Sequence, residues 1–357
     1  MHQPKDIIVE RWTTASRFAI ASFILAVAVL AIMPEFLGVG AINRLVALFI
    51  YVMIAAMWNA LAGFGGLVSV GQQVFFGLGA YFAIRLSDAG INVFAALFLA
   101  AVLVGILALP LSFLMLRLKD GEFAIGMWVV ASLVHLLVNL DPLIQGETGT
   151  SLIALNAYAL ESRRLLIYWL SLAAMVGLLG LLFGVLRSRT GVAIQAIRDS
   201  EDAAGALGVE VLATKRLIFV FTALGVGMAG ALWLATSVTF QPKTYFSVQW
   251  TAYMIFMVLV GGIGTFEGAI VGALVFFIIE TWFGGFGVWY LIGLGGTSIV
   301  FSLLFPRGIW GFVEDRWQLR LLPVGYRLRV LVGRLSSSEV AASDGAASGG
   351  ASSAKGA

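Results

Sequence analysis

The sequence predicts an all-α polytopic membrane protein of about ten transmembrane helices, with a long cytoplasmic loop between the sixth and seventh. Three observations carry that reading. Hydrophobic residues make up 61% of the 357 and charged residues only 11%, against about 45–50% and about 25% in ordinary soluble domains. Apolar runs of bilayer-crossing length recur along the chain. A single polar island, Arg187 to Arg216, interrupts them with nine charged residues in RSRTGVAIQAIRDSEDAAGALGVEVLATKR.

The chain opens with a polar leader, residues 1–17, carrying Lys5, Arg11 and Arg17. The apolar run Phe18 to Met33 follows and stops at Pro34. A secretory signal has a similar basic start, but no small-residue cleavage site follows, so the run reads as an uncleaved first span. The second span covers Leu45 to about Leu61, with Trp58 and Asn59 near its end.

The third segment, GFGGLVSVGQQVFFGLGAYFAIRL from Gly63 to Leu86, is unusual for a lipid-facing helix. Irregular backbone at membrane depth is tolerated only where protein or a water-filled cavity covers it, and glycine-broken segments point to substrate routes. On that ground Ser69, Gln72, Gln73, Gly77, Gly79 and Tyr81 are candidates for the translocation pathway. The alternative is tight helix packing at Gly71, Gly77 and Gly79, and the two readings are compatible.

Ile91 to Leu116 is the fourth span, with Pro110 near its end, and Phe123 to Leu140 the fifth, containing His135 and Asn139. A polar connection from Asp141 to Arg164 includes QGETGTS, Gln145 to Ser151. Leu165 to Leu186 is the sixth span and leads into the island. Beyond it lie Leu217 to Ser237, Phe246 to Val260, Gly268 to Phe283 and Val288 to Phe305. Three of these are short, at 15 to 18 residues, against about 20 for a full crossing.

Within the island, Val192, Ile194 and Ile197 after Gly191 predict one short helix. Asp199 or Ser200 can cap a second, from Asp202 to Leu207, with acidic residues at its positive end and Gly208 stopping it. Ala203, Ala204 and Leu207 then share a face that a partner could approach closely. The competing reading is a solvated loop that merely orients its neighbours.

Ten spans place both termini on one side. With the N-terminus inside, 17 of the 22 lysines and arginines fall on the inner segments. Only Arg44, Arg85, Arg163, Arg164 and Lys243 fall outside. The positive-inside rule therefore predicts cytoplasmic termini and a cytoplasmic island. The implied organisation is a leader over 1–17, a membrane domain over 18–305 containing the loop 187–216, and a cytoplasmic basic segment and tail over 306–357. From Ser336 the tail is small and polar, with nothing to bury, and is expected to be disordered.

Composition also excludes chemistry. The chain has no cysteine and only two histidines, His2 and His135, which leaves thiolate, haem and iron–sulfur ligation without ligands and speaks against a membrane enzyme complex. A net charge of +3 gives no argument for nucleic acid. No GxxxxGK[ST] occurs, so ATP is not bound here through a P-loop. Gly225, Gly227 and Gly230 match a dinucleotide pattern but lie inside a span. Ala223, Gly227 and Ala231 at four-residue spacing point instead to helix packing. Intramembrane ionisable groups are functional candidates. Glu280 and His135 lie close to span ends, which favours interfacial or protein-facing roles over a proton relay, and the lack of well-buried carboxylates argues against an ion-coupled secondary transporter. Two glycine corners, GGLVS at Gly65 to Ser69 and GGIGT at Gly261 to Thr265, resemble each other and suggest a parallel internal repeat.

Three stretches in order, GGLVSVGQQVFFGLGAY, AIRDSEDAAGALGVEVLATKRLIFVFTA and VLVGGIGTFEGAIVGA, resemble the LivH/LivM permeases, and the LivM-like branch most. The resemblance runs from about Leu45 to Phe305. It implies the membrane subunit of an ATP-binding-cassette importer in a bacterial inner membrane, moving branched-chain amino acids by alternating access. Related permeases carry urea, short amides or other amino acids. The implied partners are a second, LivH-like permease subunit, two cytoplasmic ATP-binding subunits and a periplasmic substrate-binding protein. The chain itself would hold no cofactor and catalyse nothing, with ATP on the partner subunits. The island becomes the loop that couples to the ATPases. Glu201, Ala203, Ala204 and Gly208 occupy its characteristic positions, within a coupling set of Glu201, Asp202, Ala203, Ala204, Leu207 and Gly208. The chain departs from the family at Gln72-Gln73, where His-Ala or His-Gly is usual, and at Thr150, where the outer Thr-Gly-Gly has its last glycine.

Overall fold

The computed structural model describes residues 7–10, 14–305, 307–317 and 327–330. They fall into two units, one built from the two chain ends and one from residues 15–324. In the first, strand Ile7–Glu10 pairs antiparallel with Arg327–Val330, Ile7 opposite Val330. The sequence assigns no element to the leader or to the basic segment after 306, and this ribbon joins the two. The tail from Ser336 lies outside the described residues.

The second unit is a helical bundle. Helix α1 (Thr14–Ile32) leaves Phe18, Ile24 and Leu25 exposed, as a lipid-facing span does. After a short turn at Met33–Glu35, α2 (Val39–Asn59) continues into a wider π-helical turn, Ala60–Phe64. Every residue from Phe49 to Gly65 is buried, which makes α2 the central post. Around it stand α3 (Gln73–Asp88), α4 (Val93–Met115), α5 (Asp120–Asn139) and α6 (Leu160–Arg187). The island forms α7 (Arg189–Asp199) and α8 (Glu201–Ala206). Then follow α9 (Val211–Ser237), α10 (Pro242–Tyr245), α11 (Val248–Gly261), α12 (Phe266–Phe283), α13 (Val288–Leu304) and α14 (Gly308–Trp317).

Nine helical stretches among the described residues are long and apolar enough to cross a membrane. The third predicted span is not among them. Its first part, Gly65 to Gln72, is not helical, and α3 has only 16 residues, about 24 Å at 1.5 Å per residue. Glycine explains why the interior accepts this piece. A Cβ on Gly79 would fall 1.9 Å from the Gly227 carbonyl oxygen of α9, and one on Gly230 would fall 1.9 Å from that of Phe76. The α3 and α9 backbones touch there, as small residues permit. Gly227 and Gly230, with the buried Ala223 and Ala231, thus act in packing within α9 rather than in nucleotide binding. The short spans near the C-terminus gain length from neighbours: α10 leads into α11 and α13 into α14.

Candidate functional site

The island supplies the most exposed chemistry. Ser200 has extended backbone, and its hydroxyl accepts a hydrogen bond from Ala203 N at 3.3 Å, so Ser200 rather than Asp199 caps α8. Gly208 has φ +86° and ends the helix. The predicted common face of Ala203, Ala204 and Leu207 does not exist. Ala204 is 2% exposed, whereas Leu207 is 85% exposed. Six residues make under two turns, and α8 lies between α7 and α9, so the position facing inward is consumed by that packing. Glu201 is also engaged internally, pairing with Lys215 of α9 at 2.5 Å. Asp202, Ala203, Leu207 and Gly208 remain on the surface.

One arginine joins the island to the bundle. Arg198 Nη1 donates to the Gly63 carbonyl at 3.1 Å, while Nε and Nη2 hold Asp199 Oδ1 at 3.0 and 2.9 Å. The two glycine corners that look alike in sequence meet beneath it. Asn59 accepts from Gly264 N and donates to the Thr265 carbonyl, both at 2.8 Å. Gly264 has φ +75°, a left-handed conformation that side chains disfavour. A Cβ there would approach Arg198 Nη1 to 3.3 Å, and one on Gly66 would approach Arg198 Cγ to the same distance. The π-helical turn between Asn59 and Gly65 widens α2 at this junction; such turns recur at functional sites.

The glutamine segment runs into the interior from that junction. Ser69, Gln72 and Gln73 are at most 1% exposed. The Ser69 carbonyl accepts from the Trp58 indole at 3.0 Å, and its hydroxyl accepts from Gly71 N at 3.3 Å. Gln73 N donates to Thr251 Oγ1 of α11 at 3.2 Å, and that hydroxyl donates back to Gln73 Oε1. Gln72 is different: neither its Oε1 nor its Nε2 has a hydrogen-bond partner among the described residues. The glycines pack: Gly71 against the Met127 carbonyl, Gly77 against the Phe246 ring and Gly79 against Gly227. Of the six candidate pathway residues, five are therefore interior and Tyr81 lies toward the far end of α3.

At that far end a polar clasp closes the bundle. Tyr81 donates to Asp141 Oδ2 at 2.7 Å, and Arg85 holds both carboxylate oxygens, at 2.7 and 2.5 Å. Burial pushes the Asp141 carboxyl up, but donation from Tyr81, Leu143 N and Arg85 outweighs it and leaves it below the usual range. Glu147, in the polar connection, receives His135 at 2.8 Å, Asn139 at 2.6 Å and Lys243 N at 2.9 Å. Its carboxyl too is lowered, those donors overcoming burial. Beside it Thr150–Ser151 pairs antiparallel with Thr239–Phe240. His135 thus faces protein.

Sequence reasoning passed over Arg198, Asn59, Asp141 and Glu147 as site residues. The repeated glycine corners carried the signal for the first two. Nothing local marked the clasp, because its partners lie 8 to 96 residues apart.

Residues 40–305 match the family of branched-chain amino acid transport system permease components. The high-affinity branched-chain amino acid transport system permease protein LivM of Escherichia coli (strain K12) is 24% identical over 326 aligned residues, covering 84% of this chain and 76% of that protein. LivM of Salmonella typhimurium (strain LT2) matches to the same extent. No solved structure matches significantly.

Proposed function

Since the chain belongs to the branched-chain amino acid transport permease family, as a multi-pass transport subunit rather than an enzyme, we propose that it forms one half of the membrane channel of an ATP-driven importer for branched-chain amino acids. The other half is a second, LivH-like permease subunit. One of two cytoplasmic ATP-binding subunits docks on the island, the other on the second permease, and a periplasmic binding protein delivers substrate to the opposite face. The membrane is the bacterial inner membrane, with both termini and the island inside, as the basic asymmetry supports. This chain holds no cofactor of its own; ATP acts on the partners.

The observation that carries this reading is the path from an exposed surface to the interior. Asp202, Ala203 and the stretch Gly205 to Gly208 are presented outward, α7 is continuous with them through Ser200, and Arg198 grips the Gly63 carbonyl at the junction of both glycine corners. Movement of the island is thereby passed to the foot of α2 and to the irregular segment before α3. Such a link gives alternating access a route: closure of the ATPases displaces the island, and the glutamine segment shifts against α11. Urea and amide cargoes have no comparable support, since both relatives are named for branched-chain amino acids.

The test is reconstitution of both permease subunits, the two ATP-binding subunits and the binding protein in proteoliposomes with ATP enclosed. Uptake of leucine, isoleucine and valine that requires both the binding protein and hydrolysis is the expected result. Uptake driven by an ion gradient without the ATPases would overturn the assignment.

A further inference from the structure

A cavity of about 780 Å³ opens between α2, α9, α11, α12 and α13, away from the glutamine segment and toward the end of α2 opposite the island. Its size lies within the roughly 300–1,000 Å³ of small-molecule sites. Glu280 and Arg44 are the charged side chains in its lining, and they are opposite in sign. Neither forms an ion pair among the described residues.

Glu280 lies within the membrane-crossing stretch Phe266–Phe286. The hydroxyls of Tyr51, Tyr253 and Tyr290 surround it, with Tyr51 in hydrogen-bonding reach. Tyr290 is 7% exposed, its ring is 6.4 Å from that of Tyr253, and the two hydroxyls lie close to each other beside Glu280. An acid in a span without a counter-cation is costly and marks a site by default. Aromatic faces attract cations. One small ammonium ion answers these features together: it neutralises the carboxylate, donates to a phenolic oxygen and lies against the rings. A guanidinium on the same wall supplies a two-pronged donor for a carboxylate.

We propose that this cavity binds the zwitterionic backbone of an α-amino acid, the ammonium group at Glu280 among the tyrosines and the carboxylate at Arg44. Phe277 and Leu291, also in the lining, offer the substrate's side chain an apolar wall. The inference rests on the amino-acid permease reading above and deepens it by placing the substrate. It concerns binding only; no bond is made or broken.

The absence of cysteine from the chain provides the test. Thr281→Cys lines the cavity and is exposed. In the assembled permease–ATPase complex in nanodiscs, without binding protein, millimolar L-leucine should slow maleimide labelling of that cysteine several-fold. The 2-hydroxy analogue of leucine, which lacks the ammonium group, should not. Adding the isosteric Glu280→Gln should abolish protection, and Glu280→Asp should restore part of it. A complex that imports leucine but whose labelling is unaffected by leucine, or equally slowed by the hydroxy analogue, overturns the cavity assignment and leaves the transport function standing. A wild-type complex that imports no aliphatic amino acid overturns both.

Discussion

Arg198 and Gly63 are 135 residues apart in sequence and joined by a 3.1 Å hydrogen bond from the guanidinium Nη1 to the carbonyl. The bond fastens the last turn of α7 to the π-helical turn that prolongs α2. It is the one point where the island grips the foot of the central helix through a side chain among the described hydrogen bonds. If force enters at the island, it passes here. Arg198→Ala should leave the chain in the membrane yet lower substrate imported per ATP hydrolysed about tenfold, equivalent to about 1.4 kcal/mol of lost coupling. Arg198→Lys should recover less than half, since an ammonium cannot serve Gly63 and Asp199 with a planar fork. Uptake and hydrolysis measured on the same vesicles check this, and unchanged stoichiometry in Arg198→Ala would remove Arg198 from the path.

Leu207 and Ala204 make opposite predictions. Leu207 is exposed, so Leu207→Glu should leave the isolated chain's stability within about 0.5 kcal/mol and abolish co-purification with the ATPase subunits. Ala204 is buried, so Ala204→Arg forces an unpaired charge into the packing of α8, at a cost on the order of the 3–5 kcal/mol seen when a buried pair loses a partner. That variant should be lost from the membrane before docking is reached. Gln195→Glu, elsewhere on α7, serves as the control. Normal co-purification of Leu207→Glu refutes docking through this side chain.

Gln72 carries two buried polar atoms with no hydrogen-bond partner among the described residues. Each such group costs about 1–3 kcal/mol, and replacing it with an apolar group of similar shape relieves that cost. Gln72→Leu should therefore be as thermostable as wild type or more so, while uptake falls severalfold because the amide finds its partner only during transport. Thermal unfolding by tryptophan fluorescence and uptake are read together. Full uptake in a stabilised variant assigns Gln72 to packing alone.

The Asp141 clasp predicts an acid limit. Its carboxyl titrates lower folded than unfolded, so its contribution is complete above the ordinary carboxylate value near about 3.9 and disappears as pH falls through the lower folded value. Asp141→Asn should cost about 1.5–3 kcal/mol at neutral pH, as hydrogen bonds to charged groups do, and the difference from wild type should shrink as pH falls through the lowered folded value. Unfolding midpoints across that range decide it; a difference that persists in strong acid contradicts the assignment.

Orientation is tested with single cysteines in the cysteine-free chain. Ser188→Cys should react with an impermeant thiol reagent only in inside-out vesicles and Thr150→Cys only in right-side-out ones. Reaction of both from one side would reverse or break the topology.

What the sequence by itself determined was the class and the punctuation. Apolar runs at bilayer length force helices, because an unsatisfied backbone cannot face lipid. The island's two short helices followed from Gly191, from an acidic start and from Gly208, all of them local signals. The resemblance to the permeases was legible in three motifs, which lie within the stretch that the family matches. Tertiary structure decided the rest. The third segment looked like a span because its composition is apolar, yet α3 is short and its approach irregular, and the interior accepts it because Gly71 and Gly79 admit neighbouring backbones, and Gly77 the Phe246 ring, where a side chain could not fit. The face of α8 was split because its packing against α7 and α9 buries Ala204 and leaves Leu207 bare, a fact about neighbours and not about helical period. The two glycine corners were visible as a weak echo in sequence. That they meet, held by Asn59 and gripped by Arg198, depends on contacts more than 130 residues apart, and no local pattern encodes the partner of a hydrogen bond that distant.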